Sequence, residues 1–325
     1  MLFALARQAQ ELGHKVVVVG PAHPEQVVLE ARSRGFETEA LPSLGRAGYM
    51  FSLRRWWKKE RRGLLWCNGL LPAVATSGLG KRVVHLHQIP SAKLKGLVPY
   101  ARKGAVRTVV PSAYMKISNP EASVLPNWNE RMPSFDSLID ENFFRVGFMG
   151  RFSIAKGLPV LIRALDGEIG GDDRRVKLVL AGEHKFVNDA DRRAIASAIE
   201  NSQVQIEQIG WVRPAQFFSS VDLVVIPSVW PESFGLVATE TMSARVPLIV
   251  SNAGALPQIV GDEYPWIARA GDSEDLNRVI TTVLETSEEQ RQQTVDRAYR
   301  RWESRYSPIA GRKALDELLK SIEGK

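Results

Sequence analysis

The 325-residue sequence contains a single cysteine, Cys67, which cannot form a disulfide within one chain. It also contains no apolar run of about 18 residues, the length that a membrane-spanning helix requires. The opening residues do not resemble a secretion signal, because no basic segment precedes the apolar ones. These absences argue against a disulfide-rich secreted domain and against an integral membrane protein, and they predict a cytoplasmic location.

Acidic residues are scarce in the first 120 positions, which contain 6 Asp or Glu against 19 Lys or Arg. This segment therefore has a net charge of +13, whereas the whole chain has +7 and the remainder has −6. An anionic partner is expected to bind the first part. Hydrophobic residues make up 44% of the chain, and its length is sufficient for two domains with separate cores.

A basic and aromatic cluster lies in this first part. It consists of Arg54, Arg55, Trp56, Trp57, Lys58 and Lys59. One interpretation is contact with a membrane surface or a polyanion, because tryptophan inserts at lipid interfaces and each cation near anionic headgroups contributes about 1 kcal/mol. The alternative is a helix whose tryptophans pack inward and whose cations face solvent. The cluster is too short, and lacks any recognised module, to make nucleic acid the leading partner.

Short β-branched runs alternate with helical patterns along the chain, which predicts an α/β fold with parallel sheets. A helix is predicted over residues 2–12 and a strand over 15–20. A later strand, at 82–87, carries His85 and His87, which are two residues apart and so lie on one side of the strand. No further metal ligands lie near them, so a zinc site is not predicted.

Two glutamates flank the start of a predicted helix near Leu236. Glu232 lies in the loop that follows a predicted strand at 222–228, and Glu240 lies about one and a half turns into the helix. The unpaired N–H groups of a helix N-terminus suit a phosphate or a sugar hydroxyl, and Gly235 allows close approach. Because a carboxylate accepts two hydrogen bonds, both glutamates are candidate partners for the paired hydroxyls of a ribose or hexose.

A cationic loop follows another predicted strand at 144–150. It contains Arg151 and Lys156 and ends at Gly157, where a helix begins. A loop between a strand end and a helix is where a doubly wound sheet binds an anionic ligand. Arginine can bind two oxygens and lysine supplies a point charge, so the two together can neutralise a diphosphate.

These two motifs resemble those of a known family. The Glu-x7-Glu spacing at 232 and 240, with Phe-Gly after the first glutamate, resembles the nucleotide-sugar loop of the retaining glycosyltransferases of family 4. The Gly-Arg-x4-Lys-Gly pattern at 150–157 resembles that family's diphosphate clamp. The likeness is strong over residues 144–260 and weaker over 1–127.

The resemblance implies the GT-B fold, in which two Rossmann-like domains with parallel sheets face each other across a cleft. An acceptor-side domain is expected at 1–127, a linker at 128–143, a nucleotide-sugar domain at 144–305, and a final helix at 306–325 that returns to the first domain. In the family a first strand and a Gly-rich loop precede the opening helix, and this sequence contains no equivalent of them.

The resemblance also implies roles for individual residues. The candidate catalytic residues are His87, Arg151, Lys156 and Glu232. The candidate donor-binding residues are Gly182, Trp211, Val212, Ser233, Phe234, Gly235, Leu236, Val237 and Glu240. Neither a metal nor another cofactor is expected. Three positions depart from the family pattern, because Arg245 replaces a small residue, Gln258 replaces an acid, and 263–266 replaces a Gly-rich turn.

The expected function is transfer, with retention, of a sugar from a nucleotide-diphosphate sugar to a glycan, lipid-linked or other anionic acceptor. Surface-polysaccharide or glycoconjugate biosynthesis at the inner face of the membrane is the expected setting. One alternative is a catalytically impaired nucleotide-sugar-binding protein or partner subunit. The others are a basic surface-binding protein and a nucleotide-sugar epimerase, although the latter should carry several cleft carboxylates that the sequence does not show.

Overall fold

The structure is a computed structural model that describes residues 1–60, 62–133, 142–170, 175–183 and 187–323. The chain forms two compact units. One contains Met1–Trp128 together with Pro308–Lys325, and the other contains Asn129–Ser307. Every strand pairing among the described residues is parallel, as the alternation of strand and helix patterns predicts.

The part of the first unit that the structure describes begins with six helices and six strands. In chain order they are α1 Leu2–Glu11, β1 Val17–Pro21, α2 Gln26–Ser33, β2 Glu37–Leu41, α3 Gly45–Glu60, β3 Leu65–Asn68, α4 Leu70–Ala75, β4 Arg82–His85, α5 Leu97–Arg102, β5 Arg107–Val110, α6 Ala113–Lys116 and β6 Ser123–Val124. The strands form two described sheets, β1-β2 and β3-β4-β5-β6.

The described residues of the second unit form six strands, a 3-10 turn at Ile154–Lys156 and seven helices. They are β7 Phe143–Met149, α7 Leu158–Leu165, β8 Arg175–Ala181, α8 Asp189–Glu200, β9 Gln205–Gly210, α9 Pro214–Phe218, β10 Leu223–Ile226, α10 Leu236–Ala244, β11 Leu248–Ser251, α11 Leu256–Val260, β12 Ile267–Ala268, α12 Ser273–Glu285 and α13 Glu288–Arg305. The last helix, α14 Pro308–Glu323, belongs to the first unit.

Both faces of the β3–β6 sheet are covered by helices. Alternate residues of β4 point to opposite faces, so Val84 packs against α4, α5 and α6, whereas Val83 packs against α1 and α14. Both valines are fully buried. Arg312 of α14 donates to Gln8 of α1, which fixes the last helix on the first. The sheet is therefore the middle layer of the unit.

The sheet of the second unit has the order β12-β11-β10-β7-β8-β9. The chain runs from β7 outward to β9 and then returns to the other side of β7 as β10. The point where the direction reverses, between β7 and β10, is the place at which doubly wound sheets bind ligands. Asp222 fixes these two strands together, because it accepts hydrogen bonds from the backbone N–H and the guanidinium of Arg145.

Several predicted boundaries are wrong by a few residues. The strand predicted at 82–87 ends at His85, so His87 lies just beyond it. The predicted linker, 128–143, starts too early, because Trp128 is a buried core residue of the first unit. Within that linker, residues 134–141 lie outside the part that the structure describes. No helix among the described residues is both long and apolar enough to cross a membrane.

The basic and aromatic cluster is part of α3, and the structure favours the inward-packed alternative. Trp57 is 2% exposed, and its indole N–H donates to the Gly80 carbonyl. Trp56 is half-buried beside Leu41 and Leu53. The prediction that both tryptophans enter a lipid interface is therefore wrong, since such insertion would remove Trp57 from the core.

The cations of the cluster divide into two groups. Arg54 is partly exposed and donates to the carbonyls of Ala75 and Ser77, so it also serves the α3–α4 contact. Arg55, Lys58 and Lys59 are exposed. These three are the most accessible cations of the predicted set for an anionic partner.

Candidate functional site

The cationic loop and the acid-bearing loop of the second unit meet at the carboxyl ends of β7 and β10. Lys156 Nζ lies 2.5 Å from Glu232 Oε1, and both side chains are partly buried. The backbone N–H groups of Val229 and Trp230 both donate to the Ala155 carbonyl, at 3.0 and 3.2 Å. The predicted convergence of the two loops is thus confirmed by one ion pair and two backbone hydrogen bonds.

Glu232 is held from both sides. Its Oε1 accepts hydrogen bonds from Lys156 and from the Ser228 hydroxyl, the latter at 2.6 Å. Its backbone is also fixed, because Ala255 N–H donates to the Glu232 carbonyl at 2.9 Å. Among the described residues Oε2 has no hydrogen-bond partner, so this oxygen can accept a bond from a ligand hydroxyl.

Gly157 makes the close approach of the two loops possible. Its φ is +76°, and a Cβ at this position would lie 1.8 Å from the Pro227 carbonyl oxygen. Any other L-residue would therefore both adopt an unfavourable backbone conformation and push the β10 loop away. The glycine that ends the cationic motif thus has a steric function that its place in the sequence did not reveal.

Arg151 and Gly182 occupy neighbouring strand ends. Arg151 is exposed directly after β7, so its guanidinium is accessible to an anion. Gly182 follows β8, and a Cβ there would lie 1.9 Å from the Gly150 carbonyl oxygen. Close packing of the two strand ends is a sufficient reason for glycine at 182, whether or not a donor binds there.

The loop after Glu232 leads into α10. Gly235 is the N-cap residue, and the first N–H groups of the helix have no acceptor within it. The Phe234 side chain is 2% exposed and packs edge-on against Tyr306, so only its backbone can contact a ligand. Leu236 is exposed, whereas Ser233 and Val237 are partly buried.

Glu240 has a carboxyl group whose pKa is strongly raised. Its side chain is directed back toward the N-terminus of α10, as in any α-helix. Burial raises its pKa to about 7. Helix N-termini favour carboxylates by about 0.3–1 kcal/mol, which is too little to offset this desolvation. No hydrogen-bond or ion-pair partner contacts the carboxyl group among the described residues, so a ligand could supply the missing donors.

Trp211 and Val212 follow β9, at the far side of the same sheet edge. Trp211 is 75% exposed, so one face of its indole ring can stack on a planar or apolar ligand. Val212 is partly buried against the core. The two residues are therefore in different environments, and only the tryptophan offers a free surface.

His87 belongs to the first unit, where it lies past the end of β4. Its Nε2 is 2.5 Å from Asn68 Oδ1, and its ring centroid is 3.9 Å from that of His85. Burial lowers the pKa of His87 to about 4, so its imidazole is neutral at physiological pH. His85 is fully buried and accepts a hydrogen bond from the Trp66 indole.

A family model supplies the identification. The model of the glycosyl transferases group 1 matches residues 131–301, which is more than half of the chain. The chain belongs to this family. The matched segment contains Arg151, Lys156, Glu232 and Glu240, and it coincides with the part of the sequence in which the motif resemblance is strongest.

Curated relatives of this group 1 chain match over part of their length. The D-inositol 3-phosphate glycosyltransferase of Corynebacterium aurimucosum is 34% identical over 122 residues, or 36% of this chain and 29% of the relative. The phosphatidyl-myo-inositol mannosyltransferase of Mycobacterium leprae is 29% identical over 139 residues, or 42% of this chain and 36% of the relative. The matched segments thus span about a third of these relatives.

A solved structure shows the fold of the group 1 chain. Anabaena Alr3699/HepE, in complex with UDP and glucose, superposes with a TM-score of 0.79 at 20% identity, over 98% of this chain and 95% of the other. The fold is GT-B, as the motifs predict. At this level of identity the likeness concerns the fold alone.

Three polar residues that bond to candidate residues, one in the first unit and two in the second, escaped the sequence analysis. Ser228 is fully buried and donates to Glu232, and Ser251 Oγ in turn donates to the Ser228 carbonyl at 2.6 Å. Asn68, at the end of β3, bonds to His87. The position of Ser228 and Asn68 at or just after a strand end, on the same edge as charged residues, is the signal that could have found them.

Proposed function

We propose that this protein is a retaining glycosyltransferase that moves a hexosyl group from a nucleotide-diphosphate sugar to a glycan or lipid-linked acceptor. The observation that carries the proposal is the ion pair between Lys156 and Glu232. This pair brings together a cation that can bind phosphate and a carboxylate that can bind hydroxyls. It lies between β7 and β10, where the order of the strands reverses. Membership of the group 1 family and the UDP complex of the GT-B neighbour support a nucleotide-sugar donor.

Arg151 and Lys156 would neutralise the departing diphosphate. Negative charge on the bridging oxygen grows as the anomeric bond breaks, so cations placed there stabilise the transition state more than the ground state. Lysine has three N–H donors, and Glu232 uses one of them. No acceptor among the described residues uses the other two, so they can bind phosphate oxygens. We propose that these side chains supply the charge and that no metal ion is required.

Glu232 and Glu240 would bind hydroxyl groups at the two ends of the donor. Glu232 Oε2, with the N–H groups at the start of α10, would orient the transferred sugar, while Glu240 would accept bonds from the ribose hydroxyls. His87 would contact the transferred sugar and Trp211 the nucleotide base. Glu232 is poorly suited to act as a nucleophile, because two donors already bind its Oε1.

Retention would then follow from attack on the same face of the sugar. The bond between the anomeric carbon and the diphosphate oxygen breaks, and the acceptor hydroxyl forms its bond to that carbon on the face just vacated. The hydroxyl proton passes to the departing phosphate oxygen. The protein contributes charge stabilisation and alignment, which are large terms in such reactions.

An anionic acceptor surface remains part of the proposal, with a corrected set of residues. Phe51 is 69% exposed, and Arg55 and Lys58 follow it at spacings of four and three residues, so the three share one face of α3. One aromatic residue and two cations suit peripheral contact with anionic lipid at the inner membrane face. Surface-glycan or glycoconjugate synthesis is the setting that this acceptor implies.

The first test is a binding screen followed by a turnover assay. The thermal shift produced by UDP, GDP, ADP and TDP identifies the base, and nucleotide release from the matching nucleotide-sugars, UDP-glucose among them, reports transfer or hydrolysis. We expect binding and release in the wild type and a loss of at least tenfold in release for Lys156→Ala. Binding without any release would favour the alternative, a catalytically impaired donor-binding protein or partner subunit. Inversion at the anomeric carbon would refute retention.

A further inference from the structure

Ser228 lies just past the end of β10 and is fully buried. Its hydroxyl is 2.6 Å from Glu232 Oε1, the same oxygen that contacts Lys156. A carboxylate has no proton to give, so the serine hydroxyl is the donor in this bond. Glu232 is its one acceptor among the described residues. The single hydroxyl proton of Ser228 is therefore used on Glu232.

The backbone around Ser228 is held in place, so its hydroxyl starts from a fixed point. The Ser251 hydroxyl donates to the Ser228 carbonyl at 2.6 Å, and both serines are buried. The next N–H along the chain, that of Val229, donates to the Ala155 carbonyl at 3.0 Å. Serine has a single torsion before its oxygen, and a turn away from Glu232 would leave a buried hydroxyl without an acceptor. The contact between the serine and the carboxylate is thus difficult to exchange.

Lys156 contacts the same oxygen in a different way. Its side chain is 32% exposed, whereas that of Glu232 is 14% exposed. Lysine has a flexible four-carbon stem and three donors, so its ammonium can turn toward a second anion and still reach solvent. In the proposed donor complex the diphosphate is that second anion. The Lys156 contact can therefore weaken when a donor binds, while the Ser228 contact persists.

We propose that Ser228 is a positioning residue, which keeps the Glu232 carboxylate oriented while Lys156 turns to the diphosphate. With Oε1 held by the serine, Oε2 remains directed at the hydroxyl groups of the transferred sugar. The two donors on Oε1 have separate tasks, since the lysine serves the diphosphate and the serine serves the sugar. This division of tasks rests on the proposed function, because it requires a ligand with both parts.

The test compares the Kd values of UDP and UDP-glucose, or of the matching pair for the base that the thermal screen selects, by isothermal titration of the full chain. Ser228→Ala should weaken UDP-glucose binding about five- to tenfold and change UDP binding by less than about twofold, since only the sugar contact depends on the serine. Ser228→Cys keeps the shape and donates weakly, so it should lose at least about threefold in UDP-glucose affinity, and it decides the matter if the alanine variant does not fold. Thr241→Val, which removes a fully buried hydroxyl that bonds within α10, should change neither Kd.

A double-mutant cycle separates positioning from a general loss of structure. In the Glu232→Ala background the serine has no carboxylate to hold, so the addition of Ser228→Ala should change the UDP-glucose Kd by less than about twofold. A merely structural serine would cost the same factor in both backgrounds. The cycle therefore reports whether Ser228 acts through Glu232.

Three results would overturn the role of Ser228. They are an unchanged UDP-glucose Kd in Ser228→Ala and Ser228→Cys, an equal loss of UDP and UDP-glucose affinity, and the same loss in the Glu232→Ala background. Each of them leaves the proposed function intact, because the wild type still binds the donor. A wild type that binds none of the four nucleoside diphosphates would instead overturn the proposed function, and the role of Ser228 with it.

Discussion

Nucleotide affinity should depend on pH through Glu240. Burial raises the pKa of this carboxyl to about 7 in the free protein. The form that accepts bonds from two ribose hydroxyls is the carboxylate, because a protonated carboxyl gives up one acceptor site to its own proton. Nucleotide binding should therefore require loss of the Glu240 proton. The Kd of the nucleoside diphosphate should rise as the pH falls below about 7, by as much as tenfold per pH unit.

The matched control is Glu240→Gln. Glutamine has nearly the same shape but does not titrate, so the pH dependence due to this site should disappear. The terminal phosphate of the ligand titrates in the same range, and the variant measures that contribution by itself. Isothermal titration at several values between about pH 5.5 and 8.5 gives both curves. The difference between them should bend near pH 7, and parallel curves would refute the ribose assignment.

Glu240→Gln should also stabilise the fold at high pH. A carboxyl whose pKa is higher in the folded state than in the unfolded state destabilises the fold once the pH exceeds the unfolded value. The cost grows from about pH 4.5 to about pH 7 and is then constant, at no more than about 3.5 kcal/mol for this change in pKa. Urea unfolding should show Glu240→Gln to be more stable than wild type at about pH 8 and equal to it at about pH 4.

Three further outcomes are expected. Lys156→Ala should weaken nucleoside diphosphate binding at least tenfold, measured by titration, whereas Lys156→Arg should retain most of it because the charge is kept. Gly157→Ala should cost about 3 kcal/mol or more in urea unfolding, because the new Cβ meets the Pro227 carbonyl. Gly210→Ala, which has a similar φ but open space, should cost only about 1–2 kcal/mol, and equal costs would refute the steric explanation. Trp57→Ala should cost about 3–5 kcal/mol, whereas the exposed Arg55→Ala should change the unfolding free energy by less than about 0.5 kcal/mol.

The sequence was sufficient to predict the meeting of the two loops, because parallel strands bring their carboxyl ends to one edge. Once 144–150 and 222–228 were identified as strands of one doubly wound sheet, Lys156 and Glu232 had to lie on the same side of it. What the pattern could not give is the strand order. Adjacency of β7 and β10 depends on long-range pairing, and the bonds between Arg145 and Asp222 that accompany it have no local signature.

The tryptophans of α3 illustrate a different limit. Composition drew attention to the cations around them, whereas burial follows the helical spacing of the apolar residues. Tyr49, Leu53 and Trp57 recur every four residues and line the buried stripe. A count of this spacing would have predicted that Trp57 lies inside and that Phe51, Arg55 and Lys58 lie outside. The periodicity was therefore informative where the composition was misleading.

The ion pair between Lys156 and Glu232 has a consequence for donor recognition. In the free protein each charge satisfies the other, so neither remains unpaired in its partly buried position. In the proposed donor complex, a diphosphate on Lys156 would draw positive charge away from Glu232, and a sugar hydroxyl on Glu232 Oε2 would supply a donor in its place. The phosphate and sugar parts of the donor would thus be energetically coupled through one contact. A nucleoside diphosphate without its sugar leaves Glu232 with a weakened partner, and we expect it to bind less favourably for its size than the intact donor does.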